Sequence, residues 1–350
     1  MTRILYVVFH PISKNDGVTK KINSQIQSWR KNNVDVKVIA FTNEIGDTII
    51  NDAIQIESKS FLKSRIILNK KFKEIVNSFN PNYIYSRYDT ININLLYARK
   101  YNLVYEINTN DLKESLILLK TNKKIKDLLR LIIYFLFRRI NLSTAHSCVF
   151  VTSDLANQYK QFNLNTIISP NTIDLNRFKV VKEINNNNRT SLFFIATPNQ
   201  PWHGIEYIVE MSKKLPEYIF NIVGISGTNT SNLFFHGYLN QKAYLEILET
   251  CHICIGSFGI HKYGLKESSP LKVREYLAYG YPTILGYKDF PISNYHLEFI
   301  HQVDVHNINY NKIKVFIETH KNYIVKPNQI SNYIDSNIIE KQKITQFIGC

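Results

Sequence analysis

Two glutamates flank the predicted start of a short helix in the C-terminal half of the chain. Glu267 stands in the loop before this helix. Glu275 stands about one and a half turns inside it, roughly 7–8 Å along the axis at ~1.5 Å per residue. Ser269 is a favourable N-cap, Pro270 suits the first helical position, and Gly280 is placed to end the helix. The pattern predicts a helix over 270–279 that follows an apolar strand over 253–258.

The amino end of such a helix can hold an anion. Its first N–H groups have no partner within the helix, and they carry the positive end of the helix dipole. Carboxylates accept hydrogen bonds from hydroxyl groups. With a diphosphate on the helix end, one of Glu267 and Glu275 could hold a sugar and the other a ribose.

The elements around this helix alternate between strand and helix. In the first fifty residues, apolar strands over 4–9 and 34–41 enclose a helix that opens at Gly17, which is a βαβ unit. After a polar, turn-prone linker over 185–188 the alternation starts again. We therefore predict two doubly wound α/β domains, over 1–170 and 171–330, with ligands at the carboxyl ends of their strands. A helix-compatible tail follows over 331–350.

The motif around the two glutamates resembles that of a known enzyme family. Glu267 and Glu275 match the E-x7-E spacing of retaining GT-B glycosyltransferases, and SPLKVREYLA over 269–278 resembles the bacterial surface-polysaccharide branch of glycosyltransferase family 4. The resemblance implies a GT-B fold of two Rossmann-like domains facing a cleft. It also implies that Glu267 contacts the donor sugar, that Glu275 contacts the ribose, and that the tail crosses back to the N-terminal domain.

Other segments match the same family in the same order along nearly the whole chain. Asp16-Gly17-Val18 resembles its N-terminal glycine loop, and Pro170-Asn171-Thr172-Ile173-Asp174 resembles its "PNGID" segment, with Thr172 in place of the glycine. The segments 222–224 and 236–239 resemble the strand ends that shape its nucleotide pocket. By this resemblance the candidate donor-binding residues are Gly17, Thr197, His203, Gly204, Tyr238, Lys266, Ser269, Pro270, Leu271, Lys272 and Glu275.

The chain also departs from the family pattern. Many relatives grip the diphosphate with an Arg and a Lys after the first strand of the C-terminal domain, whereas here His203 stands where the Lys is usual. Lys262, Lys266 or Lys272 could supply the charge. The catalytic histidine of the N-terminal domain is replaced within 105–108, so Glu106 and Asn108 join Glu267 as candidate catalytic residues.

The reaction that the resemblance implies is a retaining transfer from a UDP- or GDP-linked sugar to a hydroxyl group, with the nucleotide sugar as substrate and no further cofactor. The acceptor would be a lipid-linked saccharide in the assembly of O-antigen or a similar polymer. We expect no metal site, because the sequence has no DxD pair. Charge on the leaving diphosphate would instead meet helix N–H groups and cationic side chains.

The net charge of +15 is uneven: residues 1–175 carry 25 Lys and Arg against 14 Asp and Glu, and residues 176–350 carry 18 against 14. Such a field attracts nucleic acid, anionic lipid or phosphorylated small molecules. No nucleic-acid-binding signature accompanies it, so we expect no nucleic-acid partner. Two alternatives stay open, namely a non-catalytic basic protein that binds nucleic acid or anionic surfaces, and a GT-B epimerase or phosphorylase.

The segment 125–140 is apolar at its centre and basic at both ends. It is either an amphipathic helix lying in a membrane interface or an ordinary buried helix before the strand over 148–152. Peripheral contact of the basic N-terminal half with an anionic membrane is our working hypothesis. The N-terminus does not resemble a signal peptide, and no stretch reaches the ~18–20 apolar residues of a spanning helix. We expect a cytoplasmic protein with buried thiols, placed at the cytoplasmic face of the inner membrane.

Overall fold

The fold was analysed in a computed structural model, which describes residues 1–13, 16–58, 67–89, 92–122, 125–184 and 189–349. The chain forms two compact units. The first comprises Met1–Thr172 together with the C-terminal segment from Ser336, and the second comprises Ile173–Asp335. These limits fall close to the predicted ones near 170 and 330. The predicted linker over 185–188 lies outside the described residues.

The first unit is built on a parallel seven-stranded sheet with the order β3-β2-β1-β4-β5-β6-β7. Its strands are β1 (Thr2–Val8), β2 (Val34–Thr42), β3 (Ile54–Glu57), β4 (Tyr83–Arg87), β5 (Asn102–Ile107), β6 (Ser147–Phe150) and β7 (Thr166–Ile168). Its helices before the C-terminal segment are α1 (Gly17–Lys31), α2 (Lys70–Phe79), α3 (Ile93–Tyr97), α4 (Asp111–Asn122), α5 (Ile125–Ser143) and α6 (Ser153–Asn157).

The opening βαβ unit is where the sequence predicts it. Ile4 to Val8 are buried because β1 lies inside the sheet and both its faces are covered. The side chain of Asp16 caps α1 by accepting the N–H of Thr19 at 2.8 Å, so that Gly17 is the first helical residue. Ile22, Ile26 and Trp29 form the buried stripe of α1 against the sheet.

The second unit has a six-stranded parallel sheet with the order β10-β9-β8-β11-β13-β15 and a small pair β12-β14. Its strands are β8 (Ser191–Ile195), β9 (Ile219–Val223), β10 (Leu233–Phe235), β11 (Ile253–Ile255), β12 (Glu267–Ser268), β13 (Thr283–Leu285), β14 (Lys288–Asp289) and β15 (Ile300–Gln302). Its helices are α7 (Ile205–Lys214), α8 (Gln241–Glu249), α9 (Leu271–Ala278), α10 (Tyr310–His320) and α11 (Pro327–Ile334). Cys254 in β11 and Cys251 just before this strand are buried free thiols, as predicted.

The last helix, α12 (Ser336–Ile348), packs in the first unit against α1. Its Glu340 is fully buried and accepts hydrogen bonds from Trp29 Nε1 at 3.0 Å, Thr172 Oγ1 at 3.1 Å and Lys343 Nζ at 2.7 Å. A buried carboxylate that is neutralised and fully hydrogen-bonded fixes the helix in one register. Among the described residues, no helix combines the length and the apolar character needed to cross a membrane.

Candidate functional site in the second unit

The candidate site lies where the connections of the second sheet change direction. β8 and β11 are parallel neighbours at the centre of the sheet. The chain continues from β8 to β9 on one side, while β11 is followed by β13 on the other. At such a switch point the loops leave in opposite directions, and ligands bind beyond the carboxyl ends of the strands. The loops after β8 and β11 are therefore expected to form the site.

These two loops are joined by backbone hydrogen bonds. The N–H of Phe258 donates to the carbonyl of His203 at 3.0 Å, and the N–H of Gly259 donates to that of Trp202 at 3.0 Å. Gly204 has φ = +66°, and a Cβ there would lie 2.6 Å from the nitrogen of Gly259. The close packing of the two loops therefore explains why residue 204 is a glycine. Its predicted contact with a donor stays a prediction.

Helix α9 begins one residue later than predicted and is capped differently. Pro270 occupies the N-cap position, and Leu271 is the first helical residue. Ser269 does not cap the helix, because its hydroxyl accepts a hydrogen bond from Arg274 at 2.9 Å. Gly280, with φ = +98°, follows the last turn as predicted. The predicted N-cap role of Ser269 is therefore wrong, and its side chain instead joins a buried ion pair.

That ion pair holds the start of α9 in place, and no local sequence signal indicates it. Arg274 and Asp289 are fully buried, and one guanidinium nitrogen lies 2.6 Å and 2.7 Å from the two carboxylate oxygens. A second nitrogen donates to the carbonyl of Phe290 at 2.6 Å. Asp289 is in β14, which pairs with the β12 strand containing Glu267. The pair therefore connects α9 to the strand that precedes it.

Lys272, on the first turn of α9, reaches back to the carboxyl end of β8. Its Nζ lies 3.3 Å from the carbonyl oxygen of Ile195 and 3.3 Å from Nδ1 of His203. It also lies 4.0 Å from the centre of the Phe194 ring, a cation–π distance. Burial holds the pKa of Lys272 well below its usual value. A basic side chain and a helix amino end thus lie together at the carboxyl edge of the sheet.

His203 is hydrogen-bonded within the loop that follows β8. It is buried, and its Nε2 accepts the N–H of Thr197 at 2.9 Å. This bond leaves the proton of the neutral ring on Nδ1, which faces Lys272. Burial, with the nearby Lys272, lowers the pKa of His203 to about 2, so the ring carries no charge at neutral pH. His203 therefore positions the loop of Thr197, and its predicted contact with the donor stays a prediction.

The two motif glutamates lie on either side of the helix start. Glu267 is in β12, its side chain is 13% exposed, and its Oε1 lies 3.5 Å from Nζ of the partly exposed Lys288. Glu275 is partly buried on α9, three residues after Lys272, and therefore on the same side of the helix. Burial and the charge of Glu275 both raise the pKa of Tyr244 and Tyr279. The spacing predicted from sequence is preserved.

The remaining donor candidates of this unit lie in loops. Thr197 is exposed directly after β8, and Lys266 is exposed just before β12. Tyr238 is 88% exposed in the loop after β10. Because β8, β10 and β11 belong to one parallel sheet, the loops after them leave from the same edge of that sheet. The Nζ of Lys272 lies at this edge, beside the end of β8.

Three candidates belong to the first unit. Gly17 is exposed at the start of α1, and Asn108 follows β5. Glu106 is only 2% exposed, and its oxygens accept hydrogen bonds from Lys21, from Asn108 at 2.9 Å, and from Gln25 and Tyr85. Burial alone would raise the pKa of Glu106, but Lys21 and Lys343 hold it well below its usual value. Glu106 thus binds Lys21 and Asn108, and the predicted catalytic roles of Glu106 and Asn108 stay predictions.

Comparisons with solved structures identify the fold. The lipopolysaccharide outer core galactosyltransferase WaaB in its apo form aligns with a TM-score of 0.68 at 12% identity, covering 99% of each chain. Sucrose-phosphate synthase from Thermosynechococcus elongatus aligns with a TM-score of 0.69 at 12% identity, over 100% of this chain and 99% of that one. HepE from Anabaena, in complex with UDP and glucose, aligns with a TM-score of 0.62 at 13% identity over the whole of both chains.

No protein-family model matches the chain, and no curated protein is found as a relative. At 12–13% identity the structural likeness establishes the fold and not the activity. The predicted fold class is confirmed, because parallel α/β sheets in both units accompany whole-chain similarity to GT-B glycosyltransferases. The chain has a GT-B fold.

Proposed function

We propose that the chain transfers a sugar from a nucleoside-diphosphate donor to a hydroxyl group of an acceptor. The observation that carries this proposal is Lys272, which is on the first turn of α9 and whose side-chain amino group lies at the carboxyl end of β8. The helix amino end suits a diphosphate, and so does this amino group once a neighbouring phosphate keeps it protonated. Glu267 before the helix then accepts hydrogen bonds from the hydroxyl groups of the sugar, and Glu275 within the helix accepts them from the ribose.

The proposed chemistry follows from the charge that develops on the leaving group. When the bond between the sugar and the β-phosphate breaks, negative charge accumulates on the diphosphate. Backbone N–H groups at Leu271 and Lys272, and the ammonium group of Lys272, would stabilise that charge without a metal ion. Glu267 would hold the sugar, and Glu275 would hold the ribose hydroxyls by charge-assisted hydrogen bonds. Thr197 and Tyr238 line the nucleotide side of this arrangement, and Lys266 adds charge beside it.

The finer assignment rests on the motif and on the fold. The E-x7-E spacing supports a retaining family 4 enzyme, and UDP or GDP is the expected nucleotide. We place the acceptor in the first unit, where Asn108 directly follows the carboxyl end of β5. The proposed acceptor is a lipid-linked saccharide of a bacterial surface polymer such as O-antigen, at the cytoplasmic face of the inner membrane. One structural neighbour is a lipopolysaccharide galactosyltransferase, which accords with this class.

A donor panel tests the proposal. Purified protein is incubated with UDP- and GDP-linked hexoses, and release of the nucleoside diphosphate is measured with and without saccharide acceptors. We expect one donor to be hydrolysed slowly alone and consumed faster with an acceptor, with the anomeric configuration of the donor kept in the product. Release of no nucleotide from any donor, together with no thermal stabilisation by UDP or GDP, would refute it.

Removing the charge of Lys272 should weaken nucleotide binding. A hydrogen bond to a charged group is worth about 1.5–3 kcal/mol, so we expect Lys272→Met to raise the Kd for the nucleoside diphosphate about 10- to 150-fold. Lys213→Met is the matched control, because Lys213 is an exposed residue of α7. Isothermal titration calorimetry measures both variants. Unchanged affinity in Lys272→Met would show that the diphosphate binds elsewhere.

Nucleotide binding should also take up a proton. Burial depresses the pKa of Lys272 in the free protein, and a neighbouring diphosphate would raise it again. At a pH between the pKa of Lys272 in the free protein and its pKa in the complex, the complex holds one proton more than the free protein. The affinity for the nucleotide should therefore fall as pH rises through that range. Calorimetry in buffers of different ionisation enthalpy measures the uptake. It should vanish in Lys272→Met, and a wild-type protein without uptake would contradict this account of the site.

A further inference from the structure

Helix α5 packs against the rest of the first unit through its polar side. Of the α5 side chains that the structure describes, the five buried ones are Asp127, Tyr134, Arg138, Asn141 and Leu142. Four of these carry polar groups, and all lie within one side of the helix at 3.6 residues per turn. A helix of a water-soluble protein usually turns its apolar stripe inward. In α5 the arrangement is reversed.

Specific partners hold this buried polar side. Arg138 lies 2.7 Å from Asp111 of α4, with both side chains almost fully buried. Asn141 accepts from the Tyr105 hydroxyl at 2.8 Å, and its amide donates to the backbone of Asp89 at 3.1 Å. Paired polar groups inside a protein favour one orientation of a helix. The orientation of α5 therefore rests largely on polar contacts, with Leu142 as the buried apolar residue on the same side.

The apolar side chains of α5 face outward. The outer face of α5 is defined by Ile125, Leu128, Leu129, Ile132, Phe135, Leu136, Phe137 and Ile140, which are 37–78% exposed. Phe135 is 74% exposed and Leu136 60% exposed. Leu116 of the neighbouring α4 is 43% exposed and extends this surface. The interpretation of 125–140 as an ordinary buried helix is therefore wrong, and contiguous exposed apolar residues on this scale mark a binding surface.

Charge around the outer face selects its partner. The segment 120–139 contains seven Lys and Arg residues and a single acidic residue, Asp127. Arg139 and Lys120 are exposed beside the apolar residues. A second copy of the chain would bring the same positive charges against this surface in a symmetric contact, which is repulsive. Anionic lipid headgroups would neutralise these charges while the acyl region takes up the apolar side chains.

We propose that the outer face of α5 docks on an anionic membrane surface. The helix lies in the plane of the interface, because its opposite side is hydrogen-bonded to the first unit. Phe135, Leu136 and Ile132 enter the boundary between headgroups and acyl chains, and Arg139 and Lys120 contact lipid phosphates. This docking does not depend on the proposed transfer reaction. If the membrane docking and the transfer reaction are both correct, a saccharide carried on a lipid reaches the enzyme at this surface.

Flotation with vesicles tests the proposal on the full chain. Wild-type protein should float with equimolar phosphatidylcholine and phosphatidylglycerol vesicles and much less with pure phosphatidylcholine. Phe135→Ser with Leu136→Ser should weaken binding at least about tenfold, because two large side chains lose their burial. Arg139→Ala should weaken binding about fivefold on anionic vesicles only, at about 1 kcal/mol per basic residue. The matched control is Ile45→Ser with Val315→Ser, which removes exposed apolar residues elsewhere and should bind as wild type.

Two measurements make the outcome decisive. Thermal melting verifies that each variant stays folded, and gel filtration reports self-association. Wild-type protein that stays unbound from anionic vesicles at low salt would overturn the proposal, as would a Phe135→Ser, Leu136→Ser variant that binds like wild type. A wild-type dimer that this variant dissociates, without lipid binding, would assign the surface to a second copy instead. Nucleotide binding is measured in parallel, so that failure of docking and failure of the donor site are seen separately.

Discussion

Replacing either motif glutamate by its amide should remove most of the transferase activity. We expect Glu267→Gln and Glu275→Gln each to lower kcat/KM by about 10- to 150-fold or more, because each change loses a charge-assisted hydrogen bond of about 1.5–3 kcal/mol. For Glu275 the loss should appear largely as a higher KM, since the ribose is held equally before and during the reaction. For Glu267 it should appear in kcat, since the sugar changes shape and charge during transfer.

Controls separate this loss from general damage. Glu246→Gln changes an exposed glutamate on the neighbouring helix α8 and should leave kinetics unchanged. Lys288→Ala removes the partner of Glu267, but this partly exposed ion pair contributes little, so the fold should persist. Steady-state kinetics with the donor found in the panel measure all four variants. Near-normal activity in both Glu267→Gln and Glu275→Gln would refute the assignment of the site.

Breaking the buried ion pair beneath α9 should cost the second unit much of its stability. Arg274→Ala leaves the carboxyl group of Asp289 without its cation in a fully buried environment. Loss of one partner of a buried pair costs about 3–5 kcal/mol. For a unit of this size we expect the melting temperature to fall by about 6–20 °C, at about 2–4 °C per kcal/mol.

A paired replacement tests the reason for this loss. Arg274→Met combined with Asp289→Leu removes both charges and fills the space, so it should melt well above Arg274→Ala. Because the pair also orients β12 and the start of α9, nucleotide affinity should remain reduced in the paired replacement even where stability returns. Calorimetry and thermal melting measure the two effects. If Arg274→Ala melts like wild type, the pair does not hold this segment.

The parts of the fold that were predictable are those with a strong local signal. β1 and β2 are apolar along their length because they are covered on both faces, and the predicted bounds differ from the observed ones by one or two residues. The prediction over 253–258 continued beyond the end of β11, because Gly256 to Phe258 are also buried. Their burial comes from the packing of loops, which the apolar pattern cannot distinguish from a sheet. The edge strand β15 is partly exposed and has no such pattern.

In the candidate site, the positions of residues within one segment could be predicted from the sequence. The contacts between residues of different segments could not. Lys272 and Glu275 lie on the helix as predicted, whereas Glu267 lies in the short strand β12 and not in a loop. The role of Ser269 depends on Arg274, and Arg274 depends on Asp289, which lies 15 residues further along the chain on another strand. No local rule pairs these residues. The neutral state of His203 likewise follows from burial in the folded unit.

Helix α5 shows a limit of hydrophobic periodicity. The sequence reveals an apolar side over 125–140, but not which side of the helix faces the protein. That is decided by Asp89, Tyr105 and Asp111, which come from other elements and bind its polar side. Since the partners of a polar face are distant in sequence, only the folded chain distinguishes a core helix from an outward-facing one.

A crystal structure with bound UDP or GDP tests the central claim most directly. The diphosphate is expected on the amino end of α9, with a phosphate oxygen in hydrogen-bond distance of Nζ of Lys272 or of the first N–H groups of the helix, at about 2.7–3.2 Å. The ribose hydroxyls should contact Glu275, and the β-phosphate should point toward Glu267. A nucleotide bound elsewhere on the chain, or one whose ribose does not contact Glu275, would contradict the account.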